Sequence, residues 1–126
     1  MAQATPRQVM QTYLNDIVSG GQLELIDELF HPDMIDEAAI AFGGPTGHAG
    51  LVGHVKGFRR HIGNLEMTIE EIVAGSDQVM AERSFTGTHD GPWLGRQPTH
   101  ERISGTVFSY FTLGDGQVVR YRLWLY

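Results

Sequence analysis

Apolar side chains recur every three or four residues through the first half of the chain and every two through the second. Val9, Met10, Tyr13, Leu14, Ile17 and Val18 form one helical stripe. Thr5-Pro6-Arg7-Gln8 marks its start: Thr5 can cap, proline suits the first helical position, and Gln8 can close a capping box. Ser19-Gly20-Gly21 ends it. A shorter helix with Leu25, Ile26, Leu29 and Phe30 inward stops at His31-Pro32. Residues 34–46 read as a loop that closes on Gly43-Gly44-Pro45. A third helix carries Leu51, Val55, Phe58 and Ile62 on one face.

Beyond Gly63 the period becomes two. Leu65, Met67 and Ile69 alternate, then the phase slips by one to Ile72, which predicts a β-bulge near Glu70-Glu71. Gly75-Ser76-Asp77 turns the chain into a strand over residues 79–89, and another follows over 102–113. Gly114-Asp115-Gly116 is a hairpin turn into a last strand over 118–126. Helices first and a meandering sheet last predict an α+β fold, with three N-terminal helices packed on one face of a curved antiparallel sheet. Such a layering leaves a blind cavity between helices and sheet, suited to a small molecule. Along the last two strands Val107, Ser109 and Phe111 share one face, and Val119, Tyr121, Leu123 and Leu125 another, both largely apolar as a lined cavity requires. The opposite face, with Arg120, Arg122 and Trp124, suits water or a homodimer interface. The inward residues can equally be plain core, with no sizeable cavity.

Composition narrows the function classes. The 126 residues suit one domain, 1–126, and a 41% hydrophobic content supports a core without staples. A formal net charge of -6 argues against nucleic-acid partners, which need clustered Lys and Arg. With no cysteine there is no disulfide, thiolate nucleophile or Cys-ligated metal. The first residues lack a basic stretch followed by an apolar one, and no apolar run approaches the ~18 residues of a membrane span. A cytoplasmic protein without membrane partners is expected.

Several residues can carry chemistry. His89 ends its strand, where an imidazole titrating near neutrality can act as acid or base, or hold the turn. His31 and Asp33 flank Pro32; the pair can orient a basic imidazole or simply cap the helix exit. His48, His54 and His61 are spaced by six and seven, not the three or four that put two ligands on one helical face, so no metal site is expected and a solvated face is the plain alternative. Arg83 and Glu82 point to opposite faces of a strand, so one faces inward and needs a partner. Trp93 can lid an aromatic ligand or staple its loop. Tyr121, and more weakly Ser109, can donate to a carbonyl or enolate oxygen.

Residues 87–102 read G-T-H-D-G-P-W-L-G-R-Q-P-T-H-E-R. This stretch resembles the G-x-H-x-G-x-x-x-G-x-P-P-T-x-R signature of the SnoaL-like polyketide cyclases, with Arg102 on the motif arginine. His31-Pro32-Asp33, Thr46-Gly47 and Asp115-Gly116-Gln117-Val118 resemble further pieces of the family in order and spacing. The resemblance implies a cone-shaped fold of the nuclear transport factor 2 and ketosteroid isomerase type, and a small-molecule enzyme without cofactor. It also implies a catalytic Asp on the last strand assisted by a His on the strand before. Counted from the shared Asp-Gly turn, those positions fall on Leu123 and Ser109, and neither can replace the pair near neutral pH. The expectation is a cofactor-independent enzyme that cyclises or isomerises an apolar cyclic or polyketide-like carbonyl compound. His31, His89 and Tyr121 are its candidate acid/base groups. Ser109, Phe111, Leu123, Trp93 and Arg102 are its candidate substrate contacts. The alternatives are a non-catalytic binding or carrier dimer, and a dimerisation module with a filled core.

Overall fold

A computed structural model describes residues 4–37, 47–92 and 96–125. The N-terminal capping box closes as its sequence dictates. The Gln8 amide donates to Thr5 Oγ1 at 3.2 Å, and the Thr5 amide donates to Gln8 Oε1 at 2.9 Å. Helix α1 (Pro6–Thr12) then widens into a π-helical continuation (Tyr13–Ser19), which keeps Tyr13, Leu14, Ile17 and Val18 buried. A 3-10 turn (Leu23–Leu25) leads into α2 (Ile26–Leu29), and α3 spans Gly47–His61. These three helical segments lie against a curved, unclosed sheet of five strands: β1 (Phe30–Asp36), β2 (Ile62–Ala74), β3 (Gln78–His89), β4 (Arg102–Gly114) and β5 (Gln117–Leu125).

The strand order is β1-β5-β4-β3-β2. The β2 to β5 meander is antiparallel as expected, but β1 corrects two expectations. Phe30 is not the end of a helix, and residues 34–36 are not loop; residues 30–36 run parallel to β5 at the sheet edge. The pairing holds at Phe30↔Val118 and again at Ile35↔Arg120 and Asp36↔Tyr121, with an irregularity between. Pro32 sits in that gap, where a missing amide donor costs no ladder bond. His31-Pro32-Asp33 therefore reads as a helix stop while forming an edge strand. Gly43-Gly44-Pro45 lies outside the described residues.

Two of the sheet's bulges bear on which side chains face inward, and a further slip lies between Gly63 and Glu66. The register slips between Ile69 and Glu71, as the phase change to Ile72 predicts. A second slip pairs Leu113 with Val118 and Thr112 with Arg120, leaving Val119 as the extra residue. Val118 is buried in place of the expected Val119, and the phase recovers at Tyr121 and Leu123.

The signature glycines have a packing reason. A Cβ on Gly91 would stand 2.1 Å from His61 Nδ1, and the Asp90 and Gly91 amides both donate to His61 O at 3.0 Å. A Cβ on Gly87 would stand 2.3 Å from Ile62 Cγ2. Close backbone approach thus ties the end of β3 to the junction of α3 and β2.

Candidate functional site

The inner face of the sheet is a grid of cross-strand rungs. Asp36, Tyr121, Phe111 and Val79 form one. Leu123, Ser109, Ala81 and Ile72 form the next, and Leu125, Val107 and Arg83 the one after. Strand β3 places Val79, Ala81, Arg83, Phe85 and His89 inward by strict alternation.

At the first rung the interior is aromatic. Tyr13 meets Phe30, Phe111 and Tyr121 edge-on at ring-centroid distances of 5.5, 5.2 and 5.9 Å, and Phe30 meets Phe111 at 5.4 Å. Edge-to-face pairs contribute ~0.5–1.5 kcal/mol each beyond their area, so this end is firmly set.

Polar groups gather in the same interior. Asp36, Arg83, His89 and Ser109 are buried. Ser109 Oγ and Tyr121 Oη lie 3.5 Å apart. The His54 ring meets Tyr121 edge-on at 6.3 Å. Burial, followed by the neighbouring Tyr121, raises the Tyr13 hydroxyl well above the usual tyrosine range, so it stays a proton donor. Burial lowers the His54 imidazole below the ordinary histidine value; Asp36 opposes the shift and Arg83 reinforces it. Asp36 and Arg83 both act electrostatically on Tyr13 and on His54, so all four belong to one electrostatic neighbourhood. Arg83 donates from Nη1 to the Met67 sulfur at 3.3 Å. Among the described residues its Nε, and His89 Nε2, have no hydrogen-bond partner.

The structure brings some of the expected site residues together and separates others. Tyr121, Ser109 and Phe111 are contiguous and buried, with Leu123 beside them and partly exposed. His89 faces inward at the far end of β3, where its Nδ1 lies 3.2 Å from Thr99 Oγ1 and its amide donates to Glu101 O at 3.0 Å. His31 lies on the face of β1 opposite Phe30, Met34 and Asp36, and its Nδ1 accepts the Asp33 amide at 3.0 Å. It does not join the interior group. Arg102 opens β4 on the exposed side, and Asp90 stands 3.5 Å from His100. Trp93 lies outside the described residues.

Asp36, His54 and Tyr13 are absent from the expected set, and His54 corrects the solvated-face expectation. Their signals were in the chain. His54 falls three after Leu51 and four before Phe58, on the apolar face of α3. Asp36 falls two after Met34, in phase with the inward residues of β1. Tyr13 was visible as core but not as a polar group. His48 is also engaged: Nδ1 lies 3.0 Å from Asp27 Oδ1 and Nε2 lies 2.6 Å from Phe30 O, which ties α3 to the end of α2. Among the described residues no group of His, Asp and Glu gathers that could hold a metal ion, and no helix is long and apolar enough to cross a membrane.

Comparison with known proteins places this architecture. The SnoaL-like polyketide cyclase family matches residues 8–125. Nogalonic acid methyl ester cyclase of Streptomyces nogalater is 32% identical over 108 residues, covering 82% of this chain and 78% of that one. TsrD from Streptomyces laurentii superposes with a TM-score of 0.81 at 21% identity, covering 99% of this chain and 90% of that one. A SnoaL-like polyketide cyclase from Agrobacterium tumefaciens also gives 0.81, at 14% identity, covering 98% and 92%. The two structural likenesses carry the fold, and the sequence matches carry the family. The chain belongs to the SnoaL-like polyketide cyclases, a family with cyclase- and isomerase-type roles.

Proposed function

We propose that the protein is a cofactor-independent enzyme that moves a proton on an apolar cyclic or polyketide-like carbonyl compound, cyclising or isomerising it without the family's His–Asp pair. The observation that carries this is the group of ionisable side chains that faces the aromatic end of the interior: Asp36, His54, Tyr13 and Tyr121. Charged and polar groups are costly to bury, and a core that only needed filling would use aliphatic residues here.

In this scheme the Asp36 carboxylate takes a proton from the carbon beside the carbonyl. The charge moves to the carbonyl oxygen, where the Tyr13 or Tyr121 hydroxyl donates a hydrogen bond. Isomerisation ends when the proton returns to a different carbon. Cyclisation ends when the carbanion adds to a second carbonyl and the new alkoxide takes the proton. Neither route changes oxidation state, so neither calls for a redox cofactor. His54, neutral because burial lowers its affinity for protons, is the relay between Asp36 and solvent. Phe111 and Leu123 wall the ligand and Ser109 is its polar mark. Arg102 would contact the substrate from the rim, with His89 at that end, and Trp93 is a candidate contact from its sequence alone. A homodimer through Arg120, Arg122 and Trp124, in the cytoplasm, completes the proposal.

The interlocked rings of Tyr13, Phe30, Phe111 and Tyr121 favour a second reading, a non-catalytic carrier or a dimerisation module with a filled core. Hydrogen exchange separates the two. The protein is incubated in D2O with α-tetralone and larger polycyclic aryl ketones, and loss of the α-protons is followed by NMR. Protein-dependent exchange that fails in Asp36→Asn supports the enzyme; exchange no faster than buffer on every ketone supports the carrier or module.

A further inference from the structure

Arg83 is buried, and its acceptor is poorer than those of the hydrogen-bonded arginines nearer the surface. Arg59 donates to the Val18 and Ser19 carbonyls at 2.8 and 2.6 Å, and Arg7 donates to the Ile72 carbonyl at 3.1 Å. Arg120 and Arg122 both donate to Glu37. All of these are at least partly exposed, yet each has oxygen acceptors. Arg83, only 4% exposed, has a thioether sulfur, a weak acceptor, and an Nε with no partner among the described residues. A guanidinium cannot shed its charge at any ordinary pH. A buried cation in this state lacks the partner that burial demands.

We propose that Arg83 is an anchor for a ligand carboxylate, so that the substrate of this interior is an apolar cyclic compound bearing a free acid. This rests on the interior being a ligand site. With Nη1 turned to Met67, the Nε–Nη2 edge remains, and that edge takes a carboxylate side-on through two parallel hydrogen bonds. The surroundings suit the apolar remainder of such a ligand. Val107 and Leu125 share the Arg83 rung, and Ile69 pairs with Arg83 from β2. Leu123 and His54 face inward but are only partly buried, which marks where the interior reaches solvent. Asp36 does not compete for the same end. It lies three strands away in the order β1-β5-β4-β3, about 14 Å across the sheet at the usual spacing, and its rung meets β3 at Val79, four residues from Arg83. The acid would therefore dock at β3 while the carbonyl carbon reaches the Asp36 side.

The probes are anthraquinone-2-carboxylic acid and its methyl ester, with affinities measured by fluorescence quenching at pH 7.5. Wild type binds the acid about tenfold or more tightly than the ester, the difference a charge-assisted pair supplies. Arg83→Met abolishes the preference by weakening the acid far more than the ester; Arg83→Lys keeps part of it. Thermal unfolding controls for folding, since replacing an uncompensated buried charge with an apolar side chain of similar length should not lower the midpoint. If Arg83→Met fails to fold, the acid must still raise the wild-type midpoint more than the ester does. Equal affinity for acid and ester, or a preference that survives in Arg83→Met, overturns the anchor and leaves the enzyme proposal standing. Binding of neither probe, together with no ketone exchange, removes both.

Discussion

Arginines on the two sides of one sheet follow opposite rules. Arg120 and Arg122 lie on the outer face of β5, half in water. Glu37 joins them: its Oε1 accepts from Arg120 Nε at 3.0 Å and also from Arg120 Nη2, and its Oε2 accepts from Arg122 Nε at 2.7 Å. These hydrogen bonds lower the Glu37 carboxyl below its usual range. Arg83 lies on the inner face of β3, almost fully buried, and it donates to a sulfur. Structural need alone predicts the reverse, because an exposed charge has water to fall back on and a buried one does not. The outer arrangement pins β1 and β5 together. The inner one is incomplete as architecture, which points to a partner that comes and goes.

The sharpest way to break this contrast is at Asp36. Asp36→Asn keeps shape and burial but removes the base; α-proton exchange on the ketone panel should fall about 10²–10⁴-fold, the usual contribution of a positioned acid or base. An undiminished rate would move the chemistry elsewhere, to His89 or His31.

Ser109→Phe asks whether the inside holds space. Overpacking a tight core costs about 1–3 kcal/mol. A smaller loss in denaturant unfolding, with probe binding abolished, is expected of an open interior; a loss at the top of that range or above means the space was already full.

Stability should respond differently on the two faces. Arg83→Met should leave the thermal midpoint level or raised. Arg120→Met should change it too little to resolve, because an ion pair this exposed contributes little. A large loss in Arg120→Met would show that the outer network, not the interior, is the critical polar assembly.

The smallest expected effect is in pH. Burial lowers His54 in the folded state below its unfolded value, so between the two values the unfolded chain binds more protons. Stability from this group is therefore complete above the unfolded histidine range and is lost as pH falls toward the folded value. Exchange activity should weaken in the same direction, and His54→Gln should flatten both trends. An acid limb above the ordinary histidine range would contradict the assignment.

Much of this was legible in the chain. The capping box at Thr5 and Gln8, the bulge after Ile69 and the alternation that turns Arg83 and His89 inward all follow from local rules. What escaped depended on pairing between distant segments. Residues 30–36 look like a helix stop because Pro32 dominates locally, and only β5 makes them a strand. Asp36 reaches the interior through that pairing. Val119 yields its inward place to Val118 through a bulge that no alternation within β5 reveals. His54 is readable from its spacing on the apolar face of α3, although metal-ligand spacing, which needs two such residues on one face, does not mark a single inward base.

Arginine side-chain NMR sets the two faces against each other directly. The Nε–H signals of Arg83, Arg120 and Arg122, assigned by single substitutions, are followed as anthraquinone-2-carboxylate is added. The account predicts that the Arg83 signal moves with saturation while the other two stay fixed. Movement of Arg120 or Arg122 with Arg83 unchanged would place the ligand on the outer face and contradict it.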